Sequence, residues 1–434
     1  MKIIFYSTNS NVFEPNSFSI NVLPSNEKAF QDFKSKHPEH EFICISQLPA
    51  MFMPESSTIL LDKALNAFDF ADYLISLTPD IAVSLSFWVS PFDWLSINDC
   101  LVAEKLEQNG IKTITHPLET NLICFDKWKT HQKLIQEIFF VPKTIFIDHD
   151  LYFCAGSYKE VLHNVYKDSI KNQITKLKLP LIIKDVCGLS SYGMTVVNTY
   201  GEALCYLNSK RNNSNRIIQE YIEGEQFGTE IYGIPGHYHI LPLFKFTLNQ
   251  YGITSPKQSS KSGPYCVDEN LKNTLMRLAD KLNFCGVAQI DLIFSQNKWY
   301  IIEVNPRLSG MTYLYSSLLK KSVFQMIYDF CLKYLCTNDT CKMNDNPSDA
   351  PSDDYEENIF DERFCENQKM LDVKLPLLAK EKLEELFQIK GITLLNQQYN
   401  ALAKQEREKG YCECIICGKN DEEINKVLAQ IPCQ

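Results

Sequence analysis

Two carboxylates and a side-chain amide follow one another along two neighbouring apolar segments. Asp291 lies in the first segment, at 288–294, and Glu303 and Asn305 end the second. The short polar stretch at 295–297 predicts a turn between antiparallel strands, which would place Asp291 and Glu303 together on one face. Carboxylate and amide oxygens suit Mg²⁺ when substrate phosphates complete its coordination, and Mn²⁺ is an alternative. We therefore predict a divalent-metal site formed by Asp291, Glu303 and Asn305.

Arg307 follows this set and would bring a planar cation to the same place. A guanidinium binds phosphoryl groups and developing oxyanions, so we expect Arg307 to be catalytic. The alternative is that all four are ordinary polar residues at strand ends. A single carboxylate usually is, but Glu-x-Asn-Pro-Arg with an Asp twelve residues upstream is much harder to obtain by chance.

A lysine ends another apolar segment, and a loop rich in glycine and serine follows it. Lys184 closes the segment at 181–184. Such a loop offers backbone N–H groups and hydroxyls to phosphate oxygens, while the lysine offers a point charge. The predicted phosphate-binding residues of the loop are Gly188, Ser190, Ser191 and Gly193. The loop is not a P-loop, because Met-Thr follows the last glycine, and a simple hairpin turn is the alternative.

A third segment runs from a hydrophobic strand through an acidic turn into a second strand. Such a segment offers backbone groups to an adenine edge and carboxylates to a ribose. The turn region of this segment holds Glu220, Tyr221, Ile222, Glu225 and Gln226. An ordinary acidic hairpin turn is the alternative.

Taken in order, these motifs resemble the ATP-grasp superfamily, and within it the carboxylate–amine ligases that join amino acids and peptides. The specific resemblance covers roughly residues 120–320. It implies that Lys127, at the start of a helix, is the first nucleotide lysine and Lys184 the second. The loop at 188–193 would close over the phosphates, and Glu220, Tyr221 and Ile222 would contact the adenine. Many relatives carry a ribose-binding Glu where this chain has Gln226, so the ribose contact stays open between Glu225 and Gln226.

The resemblance also implies an activity. ATP would phosphorylate the carboxylate of an amino acid or small acid, and an amine would attack the acyl phosphate. Lys184 and Arg307 would be catalytic, with small-molecule carboxylate and amine substrates. The alternatives are a carboxylase-type or carbamoyl-phosphate-type enzyme of the superfamily, or an ATP-binding regulatory module without turnover.

The rest of the chain predicts an α/β fold that would position these residues. Strands alternate with helices over 1–118, which predicts a parallel sheet covered on both faces. An ATP-grasp domain of α+β type is expected over 119–336, with a small subdomain at about 140–222 and a large one at about 223–336. We expect an acidic linker at 337–366 and a small α/β unit at 367–434.

Composition limits the partners. The net charge is −10, and the stretch from Asn338 to Arg363 holds nine acidic and two basic residues. This balance argues against nucleic acid. Neither a signal peptide nor an apolar run long enough for a membrane is apparent, so we expect a cytoplasmic enzyme with no membrane partner. A homodimer is common in the superfamily and is compatible with the sequence.

Other signals are better explained by structure. Cys412, Cys414 and Cys417 lie in an alternating strand pattern that favours core packing over a metal site. The stretch 257–263 is polar and predicts a solvated loop, although substrate selectivity could lie there. For Glu230, a cleft-facing carboxylate and a surface strand position are equally compatible with the sequence.

Overall fold

The computed structural model describes most of the chain with gaps. It covers residues 1–8, 26–46, 58–61, 65–85, 94–154, 163–187, 194–209, 214–247, 260–337, 362–399 and 410–431. Within these ranges no helix is long and apolar enough to cross a membrane. The phosphate-loop residues Gly188, Ser190, Ser191 and Gly193 lie outside the described ranges, as does most of the acidic stretch.

The N-terminal part is a parallel sheet with helices on both faces. Its strands lie in the order β3-β2-β1-β4-β5, and every pair is parallel. Alternate residues of β1 explain this arrangement: Phe5 packs on one side against Phe30, and Tyr6 on the other against Phe70. The predicted α/β layering is confirmed. The elements are β1 (Lys2–Ser7), α1 (Asn26–Lys36), β2 (Glu41–Ser46), β3 (Thr58–Leu60), α2 (Ala67–Ser76), β4 (Ile81–Ser84), α3 (Trp94–Gln108) and β5 (Lys112–Ile114).

Two helices connect this part to a small antiparallel sheet. The sheet order is β6-β9-β7-β8, and its core includes Ile170, Leu181 and Ile218. The elements are α4 (Leu118–Phe125), α5 (Lys127–Gln136), β6 (Thr144–Ile147), α6 (His149–Phe153), α7 (Val165–Ile174), β7 (Leu181–Asp185), β8 (Thr195–Val197), α8 (Tyr200–Ser209) and β9 (Arg216–Glu220).

A long, mainly antiparallel sheet carries the second half of the chain. The sequence predicts one strand from His239 to Thr247, but Pro242, which lacks a backbone N–H, lies between two strands. The elements are β10 (Glu225–Ile234), β11 (His237–Ile240), β12 (Leu243–Thr247), β13 (Ser260–Tyr265), α9 (Glu269–Lys281), β14 (Gly286–Ser295), β15 (Lys298–Asn305), α10 (Thr312–Leu319), α11 (Val323–Ile327), a π-helical turn (Tyr328–Leu332) and α12 (Lys333–Thr337).

The C-terminal strands extend this same sheet. Its order is β15-β14-β10-β12-β13-β16-β18-β17, with β11 paired to β10. The solvated loop predicted at 257–263 is wrong from Ser260 onwards, because β13 lies between β12 and β16. Cys412 and Cys414 are fully buried in the C-terminal core. The elements are α13 (Glu362–Glu366), β16 (Lys369–Leu375), α14 (Lys380–Phe387), β17 (Ile392–Tyr399), β18 (Gly410–Gly418) and α15 (Asp421–Leu428).

One face of the long sheet runs without interruption from β15 to β18. Residues paired across neighbouring strands share a face, and the register links Glu303 to Asp291, Asp291 to Gly228, and Gly228 to Phe244. On the next strands Phe246 pairs with Lys261, Lys261 with Asp372, and Asp372 with Ile415. We call this surface the cleft face; its members are Glu303, Asp291, Gly228, Phe244, Phe246, Lys261, Asp372 and Ile415.

Candidate active site

The predicted metal ligands lie side by side on the β14–β15 hairpin. Asp291 pairs with Glu303, and Gln289 pairs with Asn305. The Gln289 amide donates to Asp291 Oδ1 at 2.5 Å, and the Asn305 amide donates to Gln289 Oε1 at 2.7 Å. The antiparallel arrangement predicted from the short turn is therefore present. Gln289 links the predicted ligands, and no sequence motif had indicated it.

Lys127 reaches this hairpin from the start of α5. Asp126 caps the helix by accepting from the N–H groups of Trp128 and Lys129 at 2.8 and 3.1 Å. The Lys127 N–H donates to the Val186 carbonyl at 2.8 Å, which fixes the helix start to the end of β7. Lys127 Nζ lies 3.0 Å from Glu303 Oε1. The first predicted nucleotide lysine is therefore beside a predicted metal ligand.

Lys184 lies on β7 and faces the same carboxylates across the gap between the two sheets. Burial lowers the pKa of Lys184 to about 8, against the opposing effect of Glu303. Burial and the neighbouring Glu303 raise the pKa of Asp291 to about 7. Burial alone would also raise the pKa of Glu303, but Lys127 and Lys184 outweigh it and hold that pKa below its usual value. Desolvated groups of both signs, concentrated in one gap, suit a metal–phosphate complex.

The gap is a pocket between the small sheet and the β15 strand. Its charged lining is Lys127, Lys184 and Glu303, and its apolar lining includes Cys124, Leu134, Val141, Pro142, Ile217, Ile301 and Val304. Apolar walls with a few convergent charges are typical of a cofactor pocket. The pocket therefore sets an apolar wall beside two lysines and one carboxylate.

His131 and Gln219 also line this pocket, and the motifs had not indicated them. Both are largely buried. Gln219 Nε2 donates to Thr144 Oγ1 at 2.9 Å, and that hydroxyl lies 3.3 Å from His131 Nδ1. Burial, with a contribution from Lys184, lowers the pKa of His131 to about 4, so the ring is neutral. The available signal was spacing, since His131 follows Lys127 by one helical turn.

The predicted adenine segment lies where the chain passes from β9 to β10. The Glu220 N–H donates to the Lys143 carbonyl at 2.9 Å, and the Tyr221 N–H donates to Pro180 at 3.1 Å. Glu220 Oε1 accepts from the Lys178 N–H at 2.9 Å. Two N–H groups of this segment are therefore used within the small sheet and are not available to a base. Ile222 is partly exposed.

The two predicted ribose residues differ in their surroundings. Glu225 is exposed and forms an ion pair with Lys245 on β12. Gln226 is partly buried and pairs in register with Ile293 of β14. A ribose contact by Glu225 would compete with Lys245, whereas Gln226 has no such ion pair among the contacts described.

Arg307 lies at the other side of the hairpin, next to the N-terminal sheet. Its backbone N–H donates to the Asn305 carbonyl at 2.8 Å, and its Nη2 donates to Asn305 Oδ1 at 3.4 Å. A cavity beside it is lined by Ser84, Thr115 and His116, which follow the carboxyl ends of β4 and β5 or lie at them. Carboxyl ends of parallel strands are a common place for ligands. The structure thus places Arg307 between the predicted metal ligands and a second cavity.

Glu230 holds the loop that follows Arg307. Its carboxylate accepts from Ser309 Oγ and Thr312 Oγ1, both at 2.7 Å, and from the Tyr232 hydroxyl at 3.0 Å. Glu230 is fully buried, so the surface position considered from the sequence is wrong. Burial raises its pKa to about 7, although the three hydroxyls act in the other direction. Glu230 is therefore a positioning residue for the 308–312 loop.

The donor set can hold a divalent metal only with help from a substrate. Within the described ranges, no cluster of three or more His, Cys, Asp or Glu side chains has metal-binding geometry. Asp291 and Glu303 supply two carboxylates and Asn305 an amide oxygen, which fits the preference of Mg²⁺ for few protein ligands plus phosphates.

Comparison with known proteins agrees with this geometry. A family model described as an ATP-grasp domain matches residues 124–311. The D-alanine–D-alanine ligase of Buchnera aphidicola is 26% identical over 219 residues, which are 48% of this chain and 67% of that protein. The arginine-specific carbamoyl phosphate synthase large chain of Bacillus subtilis is 22% identical over 151 residues, 33% of this chain but only 14% of the relative.

Solved structures show the same fold over nearly the whole chain. The L-amino acid ligase from Bacillus licheniformis superposes with a TM-score of 0.65 at 14% identity, covering 99% of this chain and 96% of that one. The N5-carboxyaminoimidazole ribonucleotide synthetase from Thermus thermophilus gives 0.60 at 12% identity, with 99% and 97% covered.

The two sheets and the charged pocket between them lie within or beside the region that the ATP-grasp family model matches. Residues 124–311 match an ATP-grasp domain, and together with its relatives this match shows an ATP-dependent carboxylate–amine ligase.

Proposed function

We propose that this enzyme uses Mg²⁺ and ATP to activate the carboxylate of an amino acid or similar small acid and then joins it to an amine. The observation that carries the proposal is the meeting of Asp291 and Glu303 with Lys127 and Lys184 in one pocket, with Arg307 beside a second cavity. The similar proteins include a D-alanine–D-alanine ligase and an L-amino acid ligase.

Asp291, Glu303 and Asn305 would hold the metal, which neutralises phosphate charge when it is bound, and Mn²⁺ is an alternative to Mg²⁺. Lys127 and Lys184 bind the phosphate oxygens of ATP. Because Lys184 is buried between two sheets, its charge acts in a medium that screens it weakly. Phosphoryl transfer needs mainly positioning and charge neutralisation, so no nucleophilic side chain is required.

The acid binds between Arg307 and the cavity formed by Ser84, Thr115 and His116. There the guanidinium stabilises the negative charge that develops as the acid accepts the phosphoryl group. The acyl phosphate forms in the gap, and the amine attacks its carbonyl carbon and releases phosphate. Exclusion of water protects the acyl phosphate from hydrolysis.

The nucleotide-binding segments complete the proposal. The loop with Gly188, Ser190, Ser191 and Gly193 joins β7 to β8 and closes over the phosphates. The segment Glu220, Tyr221 and Ile222 contacts the adenine, and Glu225 or Gln226 contacts the ribose. The enzyme works in the cytoplasm. In keeping with this, the cysteines of the described residues are free thiols. Its partners are small molecules, and it forms a homodimer.

A carbamoyl-phosphate type of reaction is a second candidate, favoured by the match to the Bacillus subtilis synthase. It differs in the acid, which would be bicarbonate. The two candidates share the nucleotide pocket, so only the choice of acid and amine separates them.

The test measures ADP release with pairs of amino acids and, in a parallel arm, with bicarbonate and ammonia. We expect ADP release that requires both an acid and an amine, with the amide detected by mass spectrometry. Hydroxylamine should trap the acyl phosphate as a hydroxamate. ATP binding with no stimulation by any pair would overturn the ligase proposal, and stimulation by bicarbonate alone would replace the amino-acid substrate.

A further inference from the structure

The far end of the cleft face carries a group of charged side chains that the ligase chemistry does not use. Lys261 of β13 pairs in register with Asp372 of β16, and Lys374 of β16 pairs with Glu413 of β18. Register therefore places all four on the same face. We call Lys261, Asp372, Lys374 and Glu413 the charged cluster.

The cluster is close-packed and mostly withdrawn from solvent. Lys261 Nζ forms an ion pair with Asp372 and lies 3.9 Å from Glu413 Oε1. The side chains of Lys261 and Glu413 are 14% and 12% exposed, so the cluster remains reachable from one side. Asp372 is 2% exposed, and its buried Oδ1 accepts from no N–H or hydroxyl among the described residues, so the neighbouring Glu413 carboxyl is the group placed to share a proton with Asp372.

The C-terminal strands can pack against the rest of the long sheet without these charges. Met370 of β16 and Ile415 of β18 lie on the same face and share one hydrophobic core with Phe244 of β12. Replacing buried ion pairs with well-packed apolar residues is often neutral or stabilising, and an unpaired buried carboxylate oxygen costs free energy. Four charges at a joint that apolar packing already makes therefore indicate a role other than holding the strands together.

The charged cluster is separated from the proposed ATP site. We call that site, with Lys127, Lys184, Asp291 and Glu303, the nucleotide end. Between Asp291 on β14 and Lys261 on β13 lie the strands β10 and β12, so three strand spacings separate them, roughly 14 Å. Burial lowers the pKa of Lys261, but Asp372, Glu413 and the more distant Asp291 together raise it. The two ends thus share one electrostatic environment without touching.

We propose that the charged cluster binds the ammonium and carboxylate groups of an amino-acid substrate at the end that does not react. Asp372 and Glu413 hold the ammonium, and Lys261 and Lys374 hold the carboxylate. Two cations and two anions make the cluster electrically balanced, which suits a zwitterion with no net charge. The groups held at the cluster are then the α-ammonium and α-carboxylate, and the reacting group is in the side chain. This inference rests on the proposed ligase function.

The first experiment measures binding to the full chain by thermal unfolding and calorimetry. The probes are L-aspartate, L-glutamate, L-ornithine and L-lysine, each compared with its Nα-acetyl and α-amide derivatives, and ATP is measured separately. We expect at least one free amino acid to raise the unfolding temperature and both of its derivatives to lose that effect. If ATP binds and none of the four does, this inference is overturned while the ligase proposal stands. Absence of ATP binding would instead count against the ligase proposal.

The second experiment compares variants. Lys374→Met and Glu413→Gln should each weaken amino-acid binding about tenfold or more, with ATP affinity unchanged. The matched control is Lys369→Met, which removes the same charge from the same strand but from the opposite face and should bind normally. Asp372→Asn is a further variant, and Glu413→Gln keeps the test valid if Asp372→Asn does not fold. Variants that lower the unfolding temperature but bind the amino acid as wild type does would show a purely structural ion-pair network.

Discussion

The two ends of the cleft face are built in different ways. The nucleotide end combines side chains from separate elements, since Lys127 comes from α5, Lys184 from β7, and Glu303 from β15. The charged cluster comes from adjacent strands in continuous register. A site assembled across a gap changes when the two sheets move, whereas a site on one ladder keeps its geometry. The first suits a step that opens and closes, and the second suits steady anchoring of a substrate.

The ends differ in charge as well. Lys127, Lys184 and Arg307 outnumber the carboxylates Asp291 and Glu303 at the nucleotide end, whereas the charged cluster is balanced. An excess of cations fits a polyanionic nucleotide. The following changes test this contrast, beginning with the largest effect.

Glu303→Gln should abolish most turnover at the nucleotide end and leave the charged cluster intact. It removes a predicted metal ligand and the partner of Lys127. We expect ADP release to fall by about 100- to 1,000-fold, while the amino-acid probes bind as before. Near-normal ADP release would remove Glu303 from the metal site. If Glu303→Gln also abolished amino-acid binding, the two ends would not bind their ligands independently.

Glu230→Gln tests β10, which lies between the two ends, through the pH dependence of the free energy of unfolding. Burial raises the folded-state pKa of Glu230 to about 7, above its unfolded value. Its contribution to the free energy of unfolding is therefore fully present below about pH 4.5 and is lost as pH rises to about 7, by up to about 3 kcal/mol. Urea denaturation at several pH values should show this decline in wild type and a flatter profile in the variant. Parallel profiles would mean that Glu230 is ionised in the folded protein throughout.

Lys184→Met should reduce the activity of the enzyme less than Glu303→Gln does. Its charge is one of several that face the phosphates, so we expect kcat/KM for ATP to fall about 10- to 100-fold. Lys171→Met is the matched control, because Lys171 is an exposed lysine of α7 that pairs with Asp168. Equal effects of the two variants would contradict a phosphate contact by Lys184.

Gly228→Ala should disturb packing between the two ends. A Cβ at Gly228 would collide with Phe246 and lie 2.7 Å from Met311 Sδ. We expect the free energy of unfolding to fall by about 1–2 kcal/mol in chemical denaturation. Gly201→Ala, on helix α8, is the control, since the nearest atom to its Cβ would be Thr199 Oγ1 at 3.8 Å. That variant should be neutral or more stable. No loss of stability in Gly228→Ala would indicate that β10 and β12 can move apart.

Local patterns in the sequence predicted the parts of the fold that depend on neighbouring residues. The β14–β15 hairpin followed from a short polar turn, and the parallel N-terminal sheet followed from alternating strands and helices. β13 was missed because Ser260–Tyr265 is polar and poor in β-branched residues, so its strand form depends on β12 and β16 at its sides. β16 depends in the same way on partners far along the chain.

The candidate site shows the same division. Residues within motifs, such as Glu303 and Lys184, were predicted and lie together in the pocket. His131 and Gln219 line that pocket, but the only signal for His131 was its spacing of one helical turn from Lys127, and a single Gln on a strand belongs to no motif. Nor could the charged cluster be anticipated, because the pairing of Lys261 with Asp372 joins residues more than a hundred positions apart.

The pairing of β13 with β16 also bears on where the folding unit ends. The ATP-grasp family model stops at residue 311, well before β16. A chain cut at that point would leave the outer N–H and C=O groups of β13 without partners, and exposed strand edges of this kind promote aggregation. The C-terminal strands pair with β13 and with one another, so the edge strand on this side of the sheet is β17. The shortest fragment expected to remain monodisperse therefore extends through β18, far beyond the predicted site residues.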